Sequence, residues 1–94
     1  IGTGDANPGV DVSQDCSDFA YVTGNGGMSA PFDDVDNGSA ILTSPVFDLS
    51  VYTDPYINYY RWFFNDGGAG FPNDTLHVKI TNGTITVTIE SVSI

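Results

Sequence analysis

The dipeptide Asn82-Gly83, between two runs of alternating apolar and polar residues, restricts the fold of this chain more than any other short segment. An Asn-Gly pair in this position is the strongest short-range signal for a β-hairpin with a two-residue type I′ turn. One predicted face is apolar and the other polar, as in an antiparallel sheet with one face in water. The predicted cross-strand pairs are Ile80 with Ile85, Val78 with Val87 and Leu76 with Ile89 on the apolar face, and Lys79 with Thr86 and His77 with Thr88 on the polar face.

The kind of acidic residue extends this β prediction to the whole chain. Eleven of the twelve acidic residues are Asp, a residue of turns and caps, and Glu90 is the only Glu. The eleven Gly and the many Thr, Val, Ile, Tyr and Phe residues also disfavour helices. We therefore predict an all-β chain, an antiparallel β-sandwich of the jelly-roll type, in which residues 1–94 form either a single domain or a domain fragment that is incomplete as a single chain.

Three further strands are predicted before the hairpin, at residues 19–23, 40–47 and 57–64. Residues 1–17 are rich in Gly, Asp and Pro and are predicted to form an extended leading segment with turns. Pro45 cannot donate a backbone hydrogen bond, so it is expected to mark a sheet edge, a bulge or the end of the second strand. The third run has apolar bulk on both faces and is therefore predicted as a central strand.

The charge of the chain excludes two classes of partner. Two basic residues against twelve acidic ones give a formal net charge of −10, so no positive patch for nucleic acid or anionic lipid can form. No segment approaches the about 20 apolar residues of a membrane span, so we expect no membrane insertion. Cys16 is the only cysteine, which precludes an internal disulfide, and we expect it to be a small buried apolar side chain.

An acidic loop is the strongest candidate for a metal site, and the predicted cofactor is calcium. Three carboxylates fall within the four positions that end at Asp36, and such groups repel one another unless a cation lies among them. Asp34 and Asp36, with backbone carbonyls near Gly38, would supply the oxygen ligands that calcium prefers. Asp66 and Asp74 would approach from a second loop. The alternative is a solvated turn in which the Asp side chains accept hydrogen bonds from backbone amides.

An aromatic-rich run supplies the second candidate site. Trp62 and Tyr60, together with Tyr59 and Tyr56, could form a platform for stacking against sugar rings, which makes a glycan a candidate partner. The alternative, which we favour, is that these side chains pack in the core of the sandwich. Arg61 lies within the same run and is expected to neutralise a nearby carboxylate or to stack on an aromatic ring.

The sequence does not support a catalytic site. Residues 36–40 resemble the Asp-Thr-Gly-Ser-Ala motif of aspartic proteases, but Asn37 replaces the Thr. Crowding by Asp33 and Asp34 also conflicts with a dyad that shares one proton. His77 is the only histidine and is expected at the surface, because no second His or paired Cys could complete a zinc site. We therefore expect no enzymatic activity.

Five segments taken together resemble the MAM-like, concanavalin-like jelly-roll modules of secreted bacterial peptidases and surface proteins. These segments are residues 20–25, 34–38, 42–50, 60–66 and 73–80. The resemblance implies a non-catalytic β-sandwich beside a catalytic domain, with its acidic loops at one end. Such modules are longer than this chain and contain opening and closing strands that it lacks. The resemblance thus implies that strands from other chains, or self-assembly, complete the sandwich.

Two functions follow as expectations. The first is a secreted or cell-surface, non-catalytic β-sandwich module, stabilised by calcium, that mediates adhesion or targets a substrate or carbohydrate. The alternative is a structural subunit of an extracellular fibre or oligomer, completed by strands from neighbouring chains. Residues 84–89 favour the alternative, because they are β-prone, uncharged and free of Pro.

Overall fold

In a computed structural model, the described residues form one β-hairpin and otherwise irregular segments. The structure describes residues 7–24, 35, 37–66 and 72–93. Strand β1 (Leu76–Thr81) pairs antiparallel with strand β2 (Thr86–Val92) in a two-stranded sheet. The described ranges contain no helix, and hence none long and apolar enough to cross a membrane. The predicted β-sandwich is therefore wrong for the described residues, in which one hairpin stands in place of two packed sheets.

The turn between the strands differs from the predicted type I′ turn. The Asn82 N–H donates to the Ile85 carbonyl at 3.2 Å, which leaves Gly83 and Thr84 as the two central residues. Gly83 has a φ of 91°, whereas Thr84 is not in the positive-φ region. A positive φ at the first central residue alone is the pattern of a type II′ turn. The Asn82 side chain stabilises the turn, because its Oδ1 accepts the N–H groups of Thr84 (3.0 Å) and Ile85 (2.9 Å).

The hairpin itself is confirmed, but its predicted register is wrong. Moving the turn by one residue shifts every partner along β2. The observed pairs are Thr81 with Thr86, Ile80 with Val87, Lys79 with Thr88, Val78 with Glu90, His77 with Ser91, and Leu76 with Val92. His77 is exposed, as predicted, and its Nδ1 lies 2.8 Å from the Ser91 Oγ across the strands. The Oγ1 atoms of Thr81 and Thr86 are 3.1 Å apart at the turn end of the same face.

A β-bulge interrupts the pairing of β2. The register shifts between Val78 and Lys79, so that Ile89 has no partner of its own. An extra residue reverses the alternation of side chains beyond it. Glu90 consequently lies opposite Val78, on the face that also carries Ile80, where unbroken alternation would have placed an apolar residue.

The three other predicted strands are wrong for the residues that the structure describes. Residues 19–23, 40–47 and 57–64 have no strand pairing in the structure. Their side chains are also largely in water, with Val46 98% and Trp62 63% exposed. Strand propensity expresses how well a side chain fits a pleated, half-buried surface, so it has no effect where no second surface covers the segment.

Polar side-chain contacts link the irregular segments over long sequence distances. The Asn7 Nδ2 donates to the Gly24 carbonyl at 2.9 Å. The Tyr60 hydroxyl donates to Gln14 Oε1 at 3.2 Å, across 46 positions of the sequence. Cys16 is exposed, so the expectation of a buried apolar thiol is wrong. The segment around it consists of bends and a turn, which provide no apolar surface to cover the side chain.

Candidate functional site

The best-defined polar site of the described residues joins the aromatic run to the hairpin. The Tyr59 hydroxyl donates to Glu90 Oε2 at 2.8 Å. Arg61 donates twice to the other carboxylate oxygen, Oε1, from Nε at 3.0 Å and from Nη2 at 2.6 Å. We call these three residues the Glu90 clasp. The β-bulge determines its position, because it places the Glu90 side chain on the face of the hairpin that carries Val78.

Hydrogen bonds and charge within the clasp shift the pKa values of its three residues. Hydrogen bonds from Arg61 and then from Tyr59 lower the pKa of Glu90, and the Arg61 charge adds to the effect. The hydrogen bond to Glu90 raises the pKa of Arg61 and also that of the Tyr59 hydroxyl. The prediction that Arg61 neutralises a nearby carboxylate is thus confirmed. The sequence did not indicate which carboxylate, because the unbroken alternation of β2 gave no sign of the bulge.

The outer edge of β2, the side that faces away from β1, is a second candidate site. Asn82 and Ile85 form a hydrogen-bonded pair at the turn. Because such pairs alternate along an antiparallel ladder, the N–H and C=O groups of Thr86 and Thr88 point away from β1. On the opposite edge the corresponding groups belong to Thr81 and Lys79. In the described part of the chain, neither edge pairs with a third strand.

The apolar side chains beside this edge are exposed. Ile85 is 63%, Val87 51% and Ile89 52% exposed, so the predicted apolar face is largely in water. The edge is also locally close to neutral. Glu90 is the only charged residue of β2, and Arg61 neutralises it.

The chain divides into a strongly acidic part and a nearly neutral part. Residues 1–55 contain nine Asp residues and no Lys or Arg. Residues 56–94 hold three acidic residues, Asp66, Asp74 and Glu90, against the two basic ones, Arg61 and Lys79. The hairpin therefore belongs to the part of the chain with the weakest electrostatic self-repulsion.

The predicted calcium ligands fall partly outside the described residues. Asp34 and Asp36 lie there. Gly38 is exposed, and its neighbour Asn37 has a left-handed backbone conformation with a φ of 57°. Asn can adopt this conformation because its short side chain tolerates it.

The other two predicted ligands are Asp66 and Asp74. The side chain of Asn65, the neighbour of Asp66, contacts Asp74, because its Nδ2 donates to the backbone carbonyl of Asp74 at 2.9 Å. Among the described residues, no three His, Cys, Asp or Glu side chains are grouped closely enough to hold a metal ion. Calcium binding remains a prediction.

The predicted sugar-stacking platform is divided among several environments. The Tyr59 hydroxyl contacts Glu90, whereas the Tyr60 hydroxyl contacts Gln14. Trp62 and Tyr60 are each 63% exposed, so the expected packing in a sandwich core is wrong. A central strand would bury them only if sheets covered both of its faces, and here the run forms no strand. Glycan binding remains a prediction.

Comparison with known proteins gives no relative from which a function could be transferred. No protein-family model, curated protein or solved structure matches this chain. The resemblance to MAM-like modules therefore remains a prediction based on the five segments given above.

Proposed function

We propose that this chain is a non-catalytic structural subunit that associates with further copies of itself through the outer edge of β2. The observation that supports this proposal is the edge itself: outward N–H and C=O groups at Thr86 and Thr88, beside exposed apolar side chains. Unpaired edges of this kind accept another strand. The proposed location is outside the cell, and it rests on the sequence resemblance.

Charge distribution favours the β2 edge over the β1 edge. Lys79 lies in the middle of β1, and a lysine on an edge strand opposes pairing with another chain. On β2 the corresponding position is Thr88, and Glu90 is already paired with Arg61. Two β2 edges can therefore approach without bringing unpaired like charges together. The nine Asp residues of the acidic part repel, so association strengthens as salt rises toward physiological strength, where the screening length is about 8 Å.

A matched pair of proline variants tests this proposal. Thr88→Pro removes an outward N–H from β2, and Lys79→Pro removes one from the directly opposite position on β1. We expect concentration-dependent association of the unmodified chain in sedimentation velocity. Thr88→Pro should abolish it and Lys79→Pro should retain it. Equal association of both variants would contradict the proposal, as would an unmodified chain that stays monomeric at every concentration.

A second pair covers the case in which proline disrupts the hairpin, as circular dichroism would show. Thr86→Lys places a charge on the β2 edge, and Thr81→Lys places the same charge at the partner position on β1. Only the first substitution should reduce association. If both variants associate as the unmodified chain does, the outer edge of β2 is not the contact.

A further inference from the structure

A cleft outside the hairpin combines aromatic and acidic walls. It has a volume of about 470 Å³ and is formed by residues 46–56. A turn folds this segment, because the Tyr52 N–H donates to the Leu49 carbonyl at 3.1 Å. The cleft is an open depression at the surface, because most of its lining side chains are exposed.

Three aromatic side chains line the cleft and remain accessible. Phe47 is 58%, Tyr52 64% and Tyr56 82% exposed. Aromatic rings attract cations through the negative charge on their faces. The rings are therefore available to a ligand from solution.

Two carboxylates, those of Asp48 and Asp54, lie on the same cleft. Asp48 Oδ1 accepts the Ser50 N–H at 3.0 Å, which orients this side chain. Hydrogen bonds from the Ser50 side chain and then from its backbone lower the pKa of Asp48, so its carboxylate stays ionised into the acidic range. Residues 46–56 carry no positive charge and the whole chain has a formal net charge of −10, so the electrostatic field of the protein attracts cations.

We infer that this cleft binds the guanidinium group of an arginine side chain on a peptide or protein partner. A guanidinium is planar and always charged, stacks on aromatic faces and pairs with carboxylates, so it can use both kinds of wall at once. A neutral sugar would use the rings but would gain nothing from the net negative charge. The inference is independent of self-association, because the cleft involves no residue of either strand.

The test uses the full chain and one pair of probe peptides at 0.15 M salt. The first probe is the acetylated and amidated pentapeptide Gly-Gly-Arg-Gly-Gly. The second replaces Arg by citrulline, which keeps the shape and removes the charge. We expect the arginine probe to shift the NMR signals of Tyr52 and Tyr56 with saturation, and the citrulline probe to leave them unchanged. Equal binding of both probes would overturn the assignment to a cation.

Paired variants distinguish a built site from diffuse attraction to an acidic chain. Asp48→Asn removes a carboxylate of the cleft. Asp15→Asn removes a carboxylate elsewhere with the same local contact, because Asp15 Oδ1 accepts the Ser17 N–H at 3.2 Å. Exposed ion pairs contribute little binding energy, so we expect at most about fivefold weaker binding for Asp48→Asn. Asp15→Asn should bind the arginine probe unchanged.

A second pair of variants tests the contribution of the aromatic rings to binding. Phe47→Leu keeps apolar bulk but removes the ring, and Tyr21→Leu does the same at an exposed ring outside the cleft. Exposed cation–π contacts contribute about 0.5–1 kcal/mol, so only Phe47→Leu should weaken binding, by about two- to fivefold. If the variants of the cleft and their controls lose equal affinity, the attraction is diffuse and the inference is wrong.

Discussion

Glu90 is the residue that connects the aromatic run to the hairpin. Its carboxylate receives Tyr59 on one oxygen and Arg61 on the other, and its backbone belongs to β2. Both donors come from the aromatic run, about 30 positions earlier in the sequence. The side chain is accessible to water, so the ion pair contributes little to stability. The clasp acts more by orienting the two segments relative to each other.

The clasp should open in acid. The pKa of Glu90 is lowered from its ordinary value of 4.5, so the stabilisation is complete above that value and is lost as pH falls through the lowered one. Trp62, adjacent to Arg61, should report this opening as a change in fluorescence. Glu90→Gln, which cannot ionise, should lack the transition, whereas Asp54→Asn should keep it. An identical acid transition in Glu90→Gln would show that the clasp is not its cause.

At the scale of elements, the hairpin is organised by its turn. The Asn82 side chain binds two turn amides, and the positive φ falls on Gly83, the one residue type without a Cβ to oppose it. The turn matters more here than in a large sheet, because an isolated two-stranded hairpin is only marginally stable in water.

Replacing Gly83 should destabilise the hairpin although the site has space. A Cβ at Gly83 would meet no atom within 4 Å, but its φ of 91° strains any other residue. Gly83→Ala should cost about 1 kcal/mol and lower the protection of the Ile80 and Val87 amides against hydrogen exchange. Gly38→Ala is the control, because that site is equally open and has an ordinary φ. Equal loss of protection in both variants would refute the role of backbone strain.

The hairpin could be predicted from sequence, but its details could not. Alternation on both sides of Asn82-Gly83 predicted two antiparallel strands, because the local pattern and the turn residues agreed. The turn centre depends on whether the Asn82 side chain binds the turn amides, a competition that the pattern does not reveal. The bulge at Ile89 likewise leaves no mark in an uninterrupted run of β-formers. The predictions of strands at residues 40–47 and 57–64 were wrong, because a high strand propensity does not supply a second surface for the segment to pack against.

At the scale of the whole molecule, charge and apolar surface are separated along the chain. The acidic residues 1–55 hold most of the negative charge, whereas the hairpin and the aromatic run lie in the nearly neutral remainder. The first part favours cations, and the second favours association with another strand. From sequence, Arg61 was predicted to neutralise a carboxylate or to stack on an aromatic ring, and the first alternative is observed. The cleft at residues 46–56 was not predicted, because the residue pattern does not show which side chains the local turn between Leu49 and Tyr52 brings together.

Calcium should stabilise the chain if the acidic loop binds it. We expect thermal unfolding to shift upward by several degrees, about what 1–2 kcal/mol gives in a domain of this size, between chelator and millimolar calcium. The double variant Asp34→Ala/Asp36→Ala should lose the shift. Magnesium at equal concentration is the control. It screens the net charge of −10 as calcium does, but the smaller ion demands a stricter coordination geometry, so only a specific calcium site would respond differently to the two metals. Equal shifts with both metals, or none with calcium, would eliminate the site.

The bulge in β2 also limits how far an assembly can grow. A bulge bends its strand and increases the local twist, so the outer edge is regular only from Thr86 to Thr88, before Ile89. Stacked fibrils need long, flat strands in continuous register. An edge that is regular over so short a length supports contact with a neighbour but diverges from a third copy. Assemblies joined through this edge are therefore expected to be closed oligomers of a few copies and not to elongate into cross-β fibrils.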